Sequence, residues 1–188
     1  MSDSKTEFAR MRVLGLLAEA GESAAPSETT RLFRDFAVAH ADCCERTCVP
    51  GHFTGSAWLV SADGERALLL HHRKLDIWVQ PGGHADGDGD LAGVALREAE
   101  EETGLPELRL EGGVFDLDRH LIPPRGKDPA HFHYDVRFVV RAGASEAFVV
   151  NEESHALAWR PVREIALDPH ADESVRRMAQ KWLKRKAG

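Results

Sequence analysis

The run Arg97-Glu98-Ala99-Glu100-Glu101-Glu102-Thr103-Gly104-Leu105 places carboxylates where a helix should bury apolar side chains. Just upstream, Leu91, Val94, Ala95 and Ala99 recur at the three-and-four spacing of an amphipathic helix and define its inward face. At about 100° per residue, Glu98 and Glu102 fall within roughly 20° of Leu91, Glu101 sits at the stripe's edge and Glu100 points away. Ionised carboxylates that converge on an inward patch repel one another and lose hydration. A divalent cation relieves both costs, and an all-oxygen donor set suits a hard ion such as Mg2+ or Mn2+. Glu98, Glu101 and Glu102 are therefore expected to be metal ligands on a packed helix.

Gly83, followed at fixed spacing by Arg97-Glu98, Glu101-Glu102 and Gly104-Leu105, resembles the Nudix box, G-x5-E-x7-R-E-U-x-E-E-x-G-U, over residues 83 to 105. The resemblance implies an α+β fold, an α/β/α Nudix sandwich with a mixed sheet. It also implies a Mg2+- or Mn2+-dependent pyrophosphohydrolase of nucleoside diphosphates linked to another moiety. Carried over by position, Glu98, Glu101 and Glu102 would hold the metals and act in catalysis, with Glu98 the first choice for the base. The Gly83 carbonyl would be a further metal ligand, and Arg97 a structural residue that orients a glutamate. One fixed position departs, since the first glutamate of the box falls on Gly89. Asp88 or Asp90 can take its place at shorter reach, or Arg97 can turn to Glu101 at i+4. If the absent glutamate only weakens the loop, restoring it at position 89 is expected to raise stability or Mg2+ affinity; if the loop needs positive φ at Gly89, the change is expected to abolish activity.

Ten histidines are many for this length. The segments His52 to Leu59, Gly82-Gly83-His84 and His133-Tyr134-Asp135 are similar to those that build the metal centre of the isopentenyl diphosphate isomerases. That similarity implies a second metal held by His52, His84, His133 and Asp135. Gly82 stands where those isomerases carry their catalytic cysteine, and Glu45 where another histidine ligand would be. The alternative is that these rings line a phosphate pocket, with Arg73 and Lys74 beside His71 and His72 as phosphate-binding cations. Glu152 or Glu153 is a candidate remote base, or plain surface charge.

Acidic residues outnumber basic ones by 31 to 24, a net charge of −7. That balance disfavours a nucleic-acid backbone as partner and permits a small nucleotide or diphosphate substrate. No apolar run approaches the ~20 residues that span a bilayer, and no signal-peptide pattern opens the chain, so no membrane partner and a cytoplasmic location are expected. A homodimer is left open. Cys43, Cys44 and Cys48 lack the spacing of a structural zinc site and are expected to be reduced thiols near a helix end.

With 43% apolar residues, the expected organisation is a helical N-terminal extension over 1–50 and a Nudix domain over 51–188. Helices are predicted over 5–20, with Phe8, Met11, Val13, Leu14 and Leu17 inward and Gly21 as the stop, and over 27–45, with Leu32, Phe33, Phe36 and Ala37 inward. Strands are expected at 53–60, 67–71, 78–80, 108–117, 131–141 and 156–159, with a turn at Asp63-Gly64 and a loop at 123–129. Gly82 and Gly83 allow positive φ and close approach of the backbone to a ligand. A basic helix over 173–186 closes the chain. Two other functions remain open on the sequence: an isomerase-like metalloenzyme and a non-catalytic nucleotide-binding module.

Overall fold

The structure, a computed structural model, describes residues 2–20, 24–25, 27–72, 77–149 and 154–187. Among these, five helices and seven strands follow the order α1 (Ser2–Glu19), α2 (Ser27–Ala39), β1 (Gly51–Val60), β2 (Arg66–His72), β3 (Ile77–Val79), β4 (Gly82–His84), α3 (Leu91–Thr103), β5 (Arg109–Ile122), β6 (His131–Arg141), β7 (Ser154–Pro161), α4 (Val162–Leu167) and α5 (Glu173–Ala187). The fold is α+β, a mixed sheet with flanking helices. Two compact units divide the chain. One comprises Met1–Ser56, Gly82–Ala95 and Gly112–Phe138, the other Ala57–Pro81, Leu96–Glu111 and Val139–Gly188.

In the first unit, β4 pairs antiparallel with the start of β1 in the register Thr54↔His84, Gly55↔Gly83 and Ser56↔Gly82. Its core gathers Val13 and Leu17 of α1, Phe33, Phe36 and Ala37 of α2, Phe53, Leu91, Leu117, Tyr134, Val136 and Phe138. The Phe36 and Tyr134 rings stack at 3.8 Å, and Phe33 meets Tyr134 edge-on at 5.3 Å. Full burial of one such ring contributes about 2–3 kcal/mol of transfer free energy. The inward stripe of α1 runs through Ala9, Val13 and Leu17, whereas Phe8 (67% exposed) and Met11 (55%) face out. Leu32 of α2 is exposed as well. Val13 and Leu17 are inward as expected and Leu14 packs partly against the core, while Ala9 takes the place expected of Phe8. The second predicted helix ends at Ala39, and residues 41–47 are turns.

In the second unit, Val60 pairs with Ala67 across the Asp63-Gly64 turn, where Gly64 has φ +71°. β2 continues antiparallel with β7, from Arg66↔Pro161 to His72↔Ser154, and with β3, from Leu70↔Val79 to His72↔Ile77. Ala57, Leu59, Leu68, Leu70, Ala99, Leu105 and Leu108 form its core with Val140 and Leu157. Trp182 of α5 is buried and donates to the Gly64 carbonyl at 2.8 Å. Arg141 and Arg185 both approach the Trp182 ring, at 5.5 and 5.6 Å, and both pair with Glu111. Helix α4 and the strand character of Gly82–His84 were not anticipated. Strand β5 runs five residues past its expected end at 117. Gly21 lies outside the described residues.

Candidate functional site

Helix α3 starts at Leu91 with Asp90 ahead of it. The Asp90 carbonyl accepts from Val94 N–H (2.9 Å) and its carboxylate from Gly93 N–H (3.1 Å), which satisfies donors that a helix start leaves free. Asp90 also pairs with Arg12 of α1 at 3.0 Å, and Asp88 accepts from the Asp90 N–H at 2.8 Å. The helix ends at Thr103, whose hydroxyl donates back to the Ala99 carbonyl at 2.5 Å, followed by Gly104 with φ +65°. Along α3, Leu91, Val94, Ala95 and Ala99 are buried, Glu98 and Glu102 are half-buried, and Arg97, Glu100 and Glu101 are exposed. Two carboxylates therefore lie on the packed side of the helix.

The loop before α3 is held by shape. Gly89 lies so close to α1 that a Cβ on it would meet the Ala9 carbonyl oxygen at 2.2 Å and Cα at 2.6 Å. Gly87 has φ +82°, its N–H donates to the Cys44 carbonyl at 2.9 Å, and a Cβ there would meet the Glu45 carboxylate. Asp86 takes a two-pronged hydrogen bond from Arg46, which holds its carboxyl below the ordinary range. The missing box glutamate is thus accounted for sterically, since α1 occupies the space above position 89. This contact argues against a glutamate there strengthening the loop. Gly82 and Gly83 show no positive φ. Gly82 serves close approach, because a Cβ on it would lie 2.2 Å from Ser56 Oγ.

A second group of residues assembles in the first unit. His52 (β1), His84 (β4), His131 and His133 (β6) bring their rings together: His52 lies 5.1 Å from His84, 5.0 Å from His131 and 4.9 Å from His133 between ring centroids. His84 is 4.9 Å from His133, and His120 of β5 reaches His133 at 5.4 Å. His52 is only 2% exposed, and neither of its ring nitrogens has a hydrogen-bond partner; the same holds for His133 Nε2. Burial, with the neighbouring imidazoles adding, pushes His52 down to about 4 and His133 down to about 2. The Cys48 backbone opposes the His52 shift weakly, without reaching hydrogen-bond geometry. His84 is lowered by burial and then by Arg46.

Of the four residues expected at a second metal, the structure brings His52, His84 and His133 together. Asp135 is otherwise engaged: it accepts from Thr54 Oγ1 (2.8 Å), Ser56 Oγ (2.7 Å) and Arg137 Nε (2.7 Å). Arg137 is buried and also approaches Asp118 (3.3 Å) and Asp116 (3.7 Å), so Asp135 belongs to a buried charge network. His131 was missed on the sequence, although His131-x-His133 in a strand puts both rings on one face. Arg73, Lys74, Glu152 and Glu153 lie outside the described residues. Cys43, Cys44 and Cys48 are free thiols, all buried. His40, Asp42 and Cys48 place one ligand atom each within 4.8 Å of one another. Burial and then a hydrogen bond with Asp42 push the Cys48 thiol up to about 12, so it is protonated. No described helix is long and apolar enough to cross a membrane.

Over 109 residues the chain is 35% identical to a Mycobacterium tuberculosis protein provisionally named 8-oxo-dGTP diphosphatase 3, an alignment that covers 55% of this chain and 48% of that one. It is 33% identical over 75 residues to the m7GpppN-mRNA hydrolase NUDT17 of Xenopus laevis, covering 37% and 25%. The chain spans about half the length, or less, of these curated relatives. Among solved structures it resembles an Ap4A hydrolase from C. elegans, with TM-score 0.56, 16% identity, and 72% of this chain and 98% of that one covered. It also resembles a NUDIX-family hydrolase from Clostridium perfringens, with TM-score 0.54, 20% identity, and 72% and 97% covered. At these identities the two structures attest to the fold alone. The match that decides kinship is to the NUDIX domain over residues 52–181, which contains the α3 carboxylates and every histidine of the cluster, so the chain belongs to the NUDIX family.

Proposed function

We propose that this chain is a metal-dependent hydrolase that cleaves the phosphoanhydride of a nucleoside diphosphate linked to another moiety. One observation carries the reading: Glu98 and Glu102 sit half-buried on the packed side of α3, while Glu100 and Glu101 are exposed. Two carboxylates one helical turn apart on a packed face fit a hard divalent ion in charge and donor type. Glu98 and Glu102 would hold such an ion, with Glu101 at the rim, and Arg97 would orient a glutamate. When bound, Mg2+ or Mn2+ supplies charge neutralisation at the phosphoryl oxygens and acidifies coordinated water. The protein's own part is to keep the carboxylates aligned. It does so through the Asp90 cap at one end of α3 and the Thr103 turn with Gly104 at the other. Residues 51–188 form the hydrolase domain in this reading, with 1–50 as a helical extension.

The names of the Mycobacterium and Xenopus relatives support hydrolysis of nucleotide phosphoanhydrides as the reaction class. The test is a panel of nucleoside diphosphate conjugates and nucleoside triphosphates, assayed with Mg2+ and with Mn2+ for phosphate-containing products. Turnover of at least one member that stops with chelator is the expected result. A panel that binds but is never cleaved indicates a non-catalytic module. Conversion of an isoprenoid diphosphate with no phosphate released indicates an isomerase.

A further inference from the structure

We propose a second metal centre in the first compact unit, chemically distinct from the α3 carboxylates: a divalent transition metal of the zinc class held by His52, His131 and His133, with His84 closing the shell. One ring nitrogen from each of His52, His131 and His133 lies within 4.8 Å of the others. Tetrahedral ligands about 2.1 Å from one ion lie ~3.4 Å apart, so the ring nitrogens need to close by at most about 1.4 Å, within reach of side-chain rotation. His84 borders this trio, 5.1 Å from His52 and 4.9 Å from His133.

The buried nitrogens argue for a ligand as well as for proximity. A buried polar atom normally has a partner, and leaving one without costs about 1–3 kcal/mol. Two of the clustered rings carry such atoms, both nitrogens of His52 and Nε2 of His133. Burying the His52 and His133 nitrogens without partners is unfavourable unless something occupies a lone pair on each ring. A cation does so.

The surroundings set tautomers as metal ligands require. His131 Nδ1 lies 2.9 Å from the Pro129 carbonyl, which only accepts, so Nδ1 carries the proton and Nε2 keeps its lone pair. His120 Nδ1 is likewise oriented by Asp118 at 3.1 Å, which in turn approaches Arg137 at 3.3 Å. A hydrogen bond from the far nitrogen to a carbonyl or carboxylate is the arrangement that fixes ligating histidines. Neutral imidazoles select borderline-soft ions such as Zn2+ over Mg2+, which prefers oxygen and holds its waters. The Thr54, Ser56 and Arg137 contacts of Asp135 leave the site nitrogen-rich.

The experiment is elemental analysis of full-length protein purified without added metal, followed by Zn2+ titration of chelator-stripped protein against a chromophoric competitor. Wild type, His131→Gln, His133→Gln and Glu102→Gln are compared, with circular dichroism as the folding control. Half-exposed His131 is the primary variant because its loss leaves the core intact. Wild type and Glu102→Gln should each bind about one Zn2+ per chain, whereas His131→Gln and His133→Gln should bind on the order of 10²-fold more weakly. Co2+ in place of Zn2+ should give visible absorption that the two histidine variants lack. The proposal is overturned if stripped wild type takes up no Zn2+, or if folded His131→Gln and His133→Gln both bind it as tightly as wild type. Glu102→Gln separates this centre from the hydrolase reading, because it should lose turnover while keeping the zinc.

Discussion

Gly89 rests on the backbone of Ala9, so close that a Cβ added to Gly89 would lie 2.2 Å from the Ala9 carbonyl oxygen. Backbone cannot yield as a flexible side chain does, so α1 or the loop must move if position 89 acquires a side chain. Gly89→Ala is expected to cost about 1–3 kcal/mol by overpacking, and Gly89→Glu at least as much. Urea denaturation of the two variants checks this. A Gly89→Glu protein as stable as wild type would show that α1 does not pack there.

On α3, charge removal should separate the packed side from the open one. Glu102→Gln keeps the side-chain volume and should lower turnover by on the order of 10²-fold or more, since metal-borne stabilisation of the transition state goes with it. Exposed Glu100→Gln should change turnover little. Steady-state kinetics on any cleaved panel member decides the matter. Equal damage from both changes would refute the division of labour along the helix.

The buried guanidinium of Arg137 faces Asp135, Asp116 and Asp118. Arg137→Met keeps much of the volume but strands the buried carboxylates of Asp116 and Asp135. The expected loss is about 3–5 kcal/mol, the range for breaking a buried ion pair from one side. Chemical denaturation at neutral pH gives the number, and a change under about 1 kcal/mol would mean that the carboxylates are screened by other groups.

Glu111 offers a pH-dependent contact. Donation from Arg141 Nε at 2.6 Å holds its carboxyl below the ordinary value of 4.5, with the charges of Arg141 and Arg185 adding and partial burial opposing. A carboxyl whose folded pKa is depressed stabilises the fold above its unfolded pKa, and that contribution fades as pH falls through the folded value. The pair is about one-third exposed, so only about 0.2–1 kcal/mol is at stake. Glu111→Gln should melt slightly below wild type at pH 7, and the gap should close below pH 4.5. A gap that persists unchanged into acid would exclude the ionised pair as its source.

What could be read in the sequence was periodic. The α3 stripe, the Val60–Ala67 hairpin and the strand at 131–141 all announce themselves through spacing. The packed placement of Glu98 and Glu102 follows from the same 3.6-residue arithmetic. What escaped was tertiary. Nothing local to Gly89 says that Ala9 lies above it, and Asp135 beside His133 reads as a ligand until Thr54, Ser56 and Arg137 are seen around it. His131 was legible in principle, since a two-residue period aligns it with His133, but a half-exposed histidine gives no pattern of its own.

Strand β6 alternates two incompatible sets of side chains. Tyr134, Val136 and Phe138 enter the apolar core, while His131, His133, Asp135 and Arg137 carry the imidazole and charge contacts. A slip of one residue in strand pairing would drive a carboxylate and a guanidinium into hydrocarbon and expel three large apolar groups. Hydrophobicity and electrostatics thus enforce the same alignment. Beyond Asp135 on its own strand, Arg137 draws further counter-charge from Asp116 and Asp118 of β5, and Asp135 its hydroxyl donors from β1. The strand therefore admits a single register, since any other alignment is penalised twice, by hydrocarbon and by charge.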